Sequence, residues 1–324
     1  MTIDKIKLSL ESNLKEVNTL IETSLRSDVE LIDSINQYLY GVKGKQLRMV
    51  LALLSAKACG TVAASTLTCA AVVEMIHTAT LLHDDVADNA PQRRGYRTVQ
   101  SLYSPASSVL MGDYWLSKAI LLLLSRKDFK LIQFFSTAVQ ELSEGELLQI
   151  QKSQSLDTTR EDYINIVGKK TSSLFVAAIA GGAYSSGASQ QVIEAMENYA
   201  YLLGVAFQIR DDIFDYSPHL DTGKLPGSDI RERKLTLPLL CALEEGPKEE
   251  GEELLGFIAQ EDVEESLLVE KSLSFVERYS GVAKAQQQLF RYTGRARDSL
   301  LPLTDSIHKE RLKRITHFVE ERVE

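Results

Sequence analysis

The segment from Ser65 to Asp88 is almost wholly apolar until its last turn, and Pro91 follows it. A run this long without strand alternation reads as a helix, and a helix that is apolar all round must be buried on all sides. Pro91 supplies the stop. Comparable stretches recur at Leu47–Cys59, Ser107–Leu124, Phe129–Lys152, Arg160–Ser186 and Ser189–Tyr216. From Ile3 to Tyr40 apolar residues fall at helical intervals, with a break near Ser27 and Asp28, and Gly41 to Lys45 forms a short Gly/Lys loop. The segment SPHLDTGKLPGSDIRERK reads as a long loop, and the C-terminal third as shorter amphipathic helices with acidic faces. No linker divides the chain. The pattern predicts one all-α domain over residues 1–324, with a core of long apolar helices.

Charge and cysteine usage narrow the function. The net charge of −9, with no basic tail, argues against a nucleic-acid binder. Cys59, Cys69 and Cys241 are odd in number and widely spaced, which predicts free thiols in a reducing, cytoplasmic setting. The N-terminus MTIDKIKLSLESNLKEV carries acids and no apolar core, unlike a targeting peptide. Unbroken apolar runs such as Ala119 to Leu124 are too short to span a bilayer.

The buried helix at Ser65 ends in LLHDDVADNAPQRRG. Asp84 and Asp88 share a helix face and Asp85 flanks them. A helix C-terminus carries partial negative charge, so three aspartates there work against the fold. Alone, the cluster would read as a solvated acidic helix end. FQIRDDIFDYS repeats the spacing with Asp211, Asp212 and Asp215, again at the end of a long apolar helix. Hard cations such as Mg²⁺ favour carboxylate oxygens and complete their shells with water and substrate phosphate. Two such clusters facing one another would cage several Mg²⁺ ions and a polyphosphate.

Basic residues at loop–helix junctions fit a phosphate ligand: Arg93 and Arg94, Lys45 and Arg48 in GKQLR, Lys169 and Lys170 beside Thr171 in GKKTSSL, and Lys224 and Lys234 in TGKLPGSDIRERK. Guanidinium groups suit phosphate oxygens through bidentate bonds. No GxxxxGK[ST] pattern occurs, so the phosphate is not held as in P-loop proteins.

With these motifs in hand, the chain resembles the trans-isoprenyl diphosphate synthases of the polyprenyl synthetase family. The two aspartate motifs with the trailing RRG carry the resemblance. GKQLR, EMIHTATLLHDD, GDYWLSKA, EGELLQ, GKKTSSLF and GSDIRERKLTLPLL match further family blocks in order, over roughly Gly41 to Leu240. The resemblance implies an isoprenoid-synthase bundle of long antiparallel helices around a central apolar cavity. It implies a reaction in which an allylic diphosphate ionises, isopentenyl diphosphate attacks the cation, and a proton is lost. By the same resemblance, Asp84, Asp85, Asp88, Asp211, Asp212 and Asp215 hold Mg²⁺, three ions per site. Arg93, Lys170, Lys224 and Lys234 would bind the allylic diphosphate. Lys45, Arg48, His77 and Arg94 would bind isopentenyl diphosphate. Thr171 and Gln208 would turn oxygens toward the cation, and the departing diphosphate would take the proton. A homodimer is implied, with loose membrane association for product release.

Two positions depart from the family pattern: Gln46 replaces an arginine, and Arg233 stands where glycine is usual. In the family, bulky aromatics four and five residues before the first aspartate close the product pocket. Here those positions are the small Thr80 and Ala79, followed toward the N-terminus by Ile76, Met75, Val73 and Val72. A tunnel open past C20 and a product of C30 or longer are expected, with Phe134 and Phe135 as candidate floors. A C15–C20 synthase remains the alternative, as does a subunit of a heteromeric synthase. A terpene cyclase is disfavoured by the second DDxxD and by Lys45, Arg48 and Arg94. One E-x-x-H at Glu74 and His77 falls short of a di-iron site, which needs two. His83 reads as packing, Trp115 as core, and Glu144, Glu146 and Gln149 as ordinary exposed groups on one helix.

Overall fold

The computed structural model describes residues 3–42, 44–216, 227–260 and 262–321. In chain order its helices are α1 (Ile3–Leu8), α2 (Glu11–Ser24), α3 (Glu30–Gly41), α4 (Leu47–Cys59), α5 (Ala64–Ala87), α6 (Val99–Leu102), α7 (Pro105–Ser125), α8 (Phe129–Ser155) and α9 (Arg160–Val167). A π turn, Gly168–Ser172, follows, and then α10 (Ser173–Ser185) and α11 (Gln190–Asp215). The remainder are α12 (Ser228–Arg231), α13 (Leu237–Glu245), α14 (Lys248–Ile258), α15 (Glu265–Arg278), α16 (Gly281–Ser299) and α17 (Ile307–Glu321). Among the described residues the only sheet is a two-residue hairpin, β1 (Gln92–Arg93) against β2 (Tyr96–Arg97). The predicted Leu47–Cys59 helix matches α4. The predicted Arg160–Ser186 helix is interrupted by the π turn. The chain forms two compact units. The first comprises Met1–Val139, Leu174–Glu197 and Leu300–Arg314, and the second Gln140–Ser173, Asn198–Ser299 and Ile315–Glu324.

In the first unit, every residue of α4 from Met49 to Ala56 is buried. Each large apolar side chain so placed contributes roughly 1.5–3 kcal/mol. α10 meets α4 backbone to backbone: a Cβ added at Gly182 would lie 2.3 Å from the Ala52 carbonyl oxygen. Ser55 Oγ donates to the Ile179 carbonyl at 2.5 Å across the same contact. α7 approaches α5 through Gly112, where a Cβ would sit 2.3 Å from His83 Nε2. Ser108 Oγ, also on α7, donates to the Leu82 carbonyl at 2.8 Å. Trp115 is core, as expected, and its indole N–H donates to Asn36 Oδ1 at 2.9 Å, tying α7 to α3.

By length and hydropathy alone α5 and α7 are long and apolar enough to cross a bilayer, which a reading of unbroken apolar runs misses. The most apolar window of α5 is 61% buried, so α5 is a core helix. α7 keeps an apolar outer face at Leu110, Leu121 and Leu124. All three cysteines are free.

In the second unit, α16 packs on α13 through Gly281, whose added Cβ would lie 2.2 Å from the Pro238 carbonyl oxygen. Arg297 on α16 reaches α17, donating to Thr316 Oγ1 at 3.0 Å and to Glu320 Oε1 at 2.7 Å. The π turn is gripped from two sides. A Cβ at Gly145 of α8 would come within 2.7 Å of the Lys170 amide nitrogen, and one at Gly204 of α11 within 2.6 Å of Ser172 Oγ. Those glycines let neighbouring helices close on a stretch whose backbone is wider than an α-helix.

Candidate active site

The first aspartate motif is the last turn of α5, with Asp88 as its C-cap. Asp85 is buried, Asp84 half-buried and Asp88 exposed. The RRG that follows is the hairpin. Arg93 pairs with Tyr96, and Arg94 and Gly95 between them both have positive φ, 53° and 80°. A two-residue turn with both central residues left-handed matches the twist of the flanking strands and calls for glycine. It returns Arg93 onto the motif, where its Nε donates to Asp85 Oδ1 at 2.6 Å. Gln100 Nε2 donates to the Asp85 and Ala90 carbonyls at 2.5 and 2.9 Å and fixes the base of the hairpin.

Arg94 turns the other way, toward the start of α4. A Cβ at Gly44 would lie 2.1 Å from Arg94 Nη1, so the guanidinium lies on bare backbone. Arg48 Nη1 donates to His77 Nε2 at 3.1 Å, with its guanidinium 4.9 Å from the centre of the Phe175 ring. Burial, and then Arg48, Arg94 and Arg93, hold the His77 pKa well below its usual value. His77 is therefore a neutral acceptor at physiological pH. Three of the four residues expected to bind isopentenyl diphosphate, Arg48, His77 and Arg94, come together here, with the fourth, Lys45, exposed beside them. Gln46 has a left-handed φ of 51° and donates to Asn18 on α2 at 3.1 Å, so it braces the loop.

The second unit contains a pocket of about 120 Å³ lined by Lys170, Thr171, Gln208, Asp212, Asp229 and Lys234 among others. Lys170 and Thr171 lie in the π turn, a backbone irregularity frequent at functional sites. Lys170 Nζ donates to Gln149 Oε1 at 3.0 Å and pairs with Glu146. Glu146 and Gln149 are thus tied to the site, which corrects their reading as ordinary exposed groups. Glu144 is exposed and pairs with Lys169 at 2.6 Å. Lys234 pairs with Glu232. Lys224 lies outside the described residues.

The three aspartates of the second motif have different surroundings. Asp212 is buried; its Oδ2 accepts from the Tyr163 hydroxyl at 2.5 Å and its Oδ1 from Gln208 Nε2 at 2.8 Å. Burial raises its pKa from 3.8 to about 7, against the lowering effect of those two hydrogen bonds, with Asp211 and Asp215 adding to the rise. Asp215 accepts the backbone N–H groups of Ser228 and Asp229, both at 2.9 Å, and the Ser228 hydroxyl at 3.0 Å. It anchors the start of α12. Asp211 is half-buried. Asp229, absent from the sequence-based candidates, lines the pocket; burial, with Asp212 and Asp215, pushes its carboxyl well above the usual range.

Arg233 has a left-handed φ of 56°, which accounts for the family's glycine there. Its Nη2 donates to the Gln260 carbonyl at 2.8 Å. In the first unit Ala79 is buried, and Thr80 Oγ1 donates to the His77 carbonyl at 2.9 Å. Phe135 is core, and Phe134 lies edge-on to Tyr184 with centroids 6.3 Å apart. His83 packs on α7, its Nε2 3.2 Å from Asp113 Oδ1.

The polyprenyl synthetase family signature matches residues 29–274. The chain is 33% identical to the octaprenyl diphosphate synthase of Escherichia coli over 99% of each chain. Two solved structures share the fold. One is a decaprenyl diphosphate synthase from Rhodobacter capsulatus, with a TM-score of 0.92, 32% identity and 99% of each chain covered. The other is a polyprenyl synthase from Caulobacter crescentus complexed with calcium and isoprenyl diphosphate, with a TM-score of 0.90, 31% identity, and 100% of this chain and 98% of that one covered.

Proposed function

The chain belongs to the polyprenyl synthetase family, and from that premise we propose that it joins isopentenyl diphosphate units head to tail onto an allylic diphosphate, giving a trans-polyprenyl diphosphate of C30 or longer. It is a prenyltransferase. The observation that carries the reading is the pocket in which Lys170 and Lys234 accompany Thr171, Gln208 and Asp212. Cations for a diphosphate and oxygens for a carbocation then share one wall.

The donor set fits a hard divalent cation. It consists of carboxylates, gathered at helix C-termini where the helix dipole disfavours them. Among the described residues no three such groups stand close enough to hold an ion unaided, and ions that share substrate phosphate need no closed protein cage. Asp84, Asp85, Asp88, Asp211, Asp212 and Asp215 would hold Mg²⁺, three ions per site. Bound there, Mg²⁺ supplies positive charge that stabilises the diphosphate as it departs.

The side chains do the rest. Arg93, Lys170, Lys224 and Lys234 would grip the allylic diphosphate. Arg93, whose Nε donates to Asp85 Oδ1, would turn to phosphate where Asp85 served as a metal ligand. Lys45, Arg48 and Arg94 would hold isopentenyl diphosphate, with neutral His77 keeping the Arg48 fork oriented. Thr171 and Gln208 would face oxygen atoms to the developing cation, an electrostatic stabilisation that needs no proton transfer. The departing diphosphate accepts the proton.

The small Ala79 and Thr80 support a tail running along α5 toward Met75 and Val72, consistent with relatives named for octaprenyl and decaprenyl products. The apolar outer face of α7, with Leu110, Leu121 and Leu124 exposed by 66%, 58% and 50%, supports a homodimer. We assign the protein to the cytoplasm, with residues 1–324 acting as one catalytic domain and loose membrane association for product release. The test is an assay with Mg²⁺, labelled isopentenyl diphosphate and farnesyl diphosphate, with products sized by chromatography. A ladder ending at C30 or beyond is expected. Products ending at C15 or C20 would keep the reaction and refute the open tunnel, and no elongation from any allylic primer would refute the reading.

A further inference from the structure

Three hydrogen bonds in the second unit form one chain. The Tyr163 hydroxyl lies 2.5 Å from Asp212 Oδ2, Gln208 Nε2 lies 2.8 Å from Asp212 Oδ1, and Thr171 Oγ1 lies 2.8 Å from Gln208 Oε1. Tyr163 comes from α9, Thr171 from the π turn, and Gln208 and Asp212 from α11. All four line the same pocket. We infer that Tyr163 is a positioning residue whose hydroxyl sets the direction of this chain and thereby aims the Thr171 oxygen into the pocket.

The direction follows from donor chemistry. As a metal ligand Asp212 would be ionised, and an ionised carboxylate only accepts, so the phenol must donate to it. The same carboxylate draws the NH₂ end of Gln208, leaving the amide oxygen toward Thr171. An amide oxygen only accepts, so the Thr171 hydroxyl must point its proton at Gln208. Its lone pairs are then the part of Thr171 left for a cation in the pocket. Without the phenol, one oxygen of Asp212 loses its fixed donor and the carboxylate can turn about its Cβ–Cγ bond. Gln208 Nε2 then follows the turned carboxylate, the amide oxygen leaves the Thr171 hydroxyl, and that hydroxyl is free to turn its proton toward the pocket. A buried phenol–carboxylate pair could serve packing alone, but here the pair continues, without a gap, to two residues of the pocket wall.

The inference rests on the prenyl-transfer reading only for the identity of the cation that Thr171 meets. Wild-type elongation tests that reading first and separately. The experiment then compares Tyr163→Phe, Thr171→Val, Gln208→Met, and the two double variants carrying Tyr163→Phe. Steady-state constants are measured for both substrates, with unfolding midpoints of the ligand-free proteins. For Tyr163→Phe we expect kcat to fall on the order of tenfold, KM values to stay within about twofold, and the midpoint to fall only slightly, by the one buried hydrogen bond lost. In the Thr171→Val and Gln208→Met backgrounds the same change should cost nothing further, because the chain is already cut. Losses that multiply in the double variants would overturn the proposal. So would an unchanged kcat, a loss confined to KM, or a midpoint so lowered that the variant is largely unfolded under the assay conditions, which would assign the hydroxyl to folding.

Discussion

Replacing Asp212 by asparagine should stabilise the ligand-free protein while destroying its activity. The carboxylate is buried, and its pKa rises from 3.8 to about 7 chiefly because burial penalises the charged form. The folded state thus holds its proton more tightly than the unfolded chain. Below the unfolded value the group costs nothing; as pH rises from 3.8 to about 7 the unfolded state ionises first and stability is lost. The difference is about three pH units, and at roughly 1.4 kcal/mol per unit the ionised group costs the fold about 4 kcal/mol at neutral pH and above. Asparagine has the same shape and can accept from Gln208 through Oδ1 while donating through Nδ2 to the Tyr163 oxygen, so both neighbours stay partnered. Urea unfolding of wild type and Asp212→Asn at several pH values, without metal, is the assay. The stability gain of the variant should be several kcal/mol near pH 8 and shrink toward zero near pH 4. A gain independent of pH, or a variant less stable than wild type at high pH, would refute the reasoning. Adding Mg²⁺ with inorganic diphosphate should narrow the gap by stabilising the wild type alone.

Arg233→Gly should raise the unfolding free energy in urea by about 0.5–1 kcal/mol, since relief of the left-handed backbone outweighs the exposed bond to the Gln260 carbonyl. Gly182→Ala should destabilise by about 1–3 kcal/mol, because the new Cβ meets the Ala52 carbonyl, which cannot yield as a side chain can. Gly44→Ala should leave the urea midpoint near wild type but displace the Arg94 guanidinium, raising KM for isopentenyl diphosphate by about tenfold with kcat retained. Ala79→Phe places a ring about 7.5 Å along α5 from Asp84; the chromatographed ladder should then end at C20 or below, and an unshortened ladder would place the tail elsewhere.

The long helices were legible because their apolar runs are bounded by Pro, Gly or charge, as at Pro91 and Gly60. Both aspartate motifs were legible because their spacing repeats at two helix ends. The hairpin at Gln92–Arg97 was not, since two-residue strands show no alternation, although the left-handed turn was written in Arg94-Gly95. The π turn left no trace in hydrophobic periodicity; its signal was the glycines at 145 and 204, which belong to other helices. Tyr163 and Asp229 were missed for the same reason. Tyr163 belongs to no motif and Asp229, though inside GSDIRERK, had no role assigned to it; each reaches the pocket only through folding. The anchoring role of Asp215 was hidden because its partners, Ser228 and Asp229, lie 13 and 14 residues further along the chain. Glu146 and Gln149 were read as surface because a helix face holding Glu and Gln looks the same in solvent as beside a lysine.

The π turn at Gly168–Ser172 also bears on how this chain tolerates changes in length. A π turn is a helix carrying one residue more than its rise requires. Removing any single residue between Gly168 and Ser172 would leave an ordinary α-helix, with circular dichroism and expression little changed. Because the bulge absorbs the lost residue, the flanking helical residues would keep their register, and the displacement would fall on Lys170 and Thr171, which lie in the bulge and would shift relative to Gln208. A one-codon deletion here would therefore produce a well-folded protein with a misaligned active site.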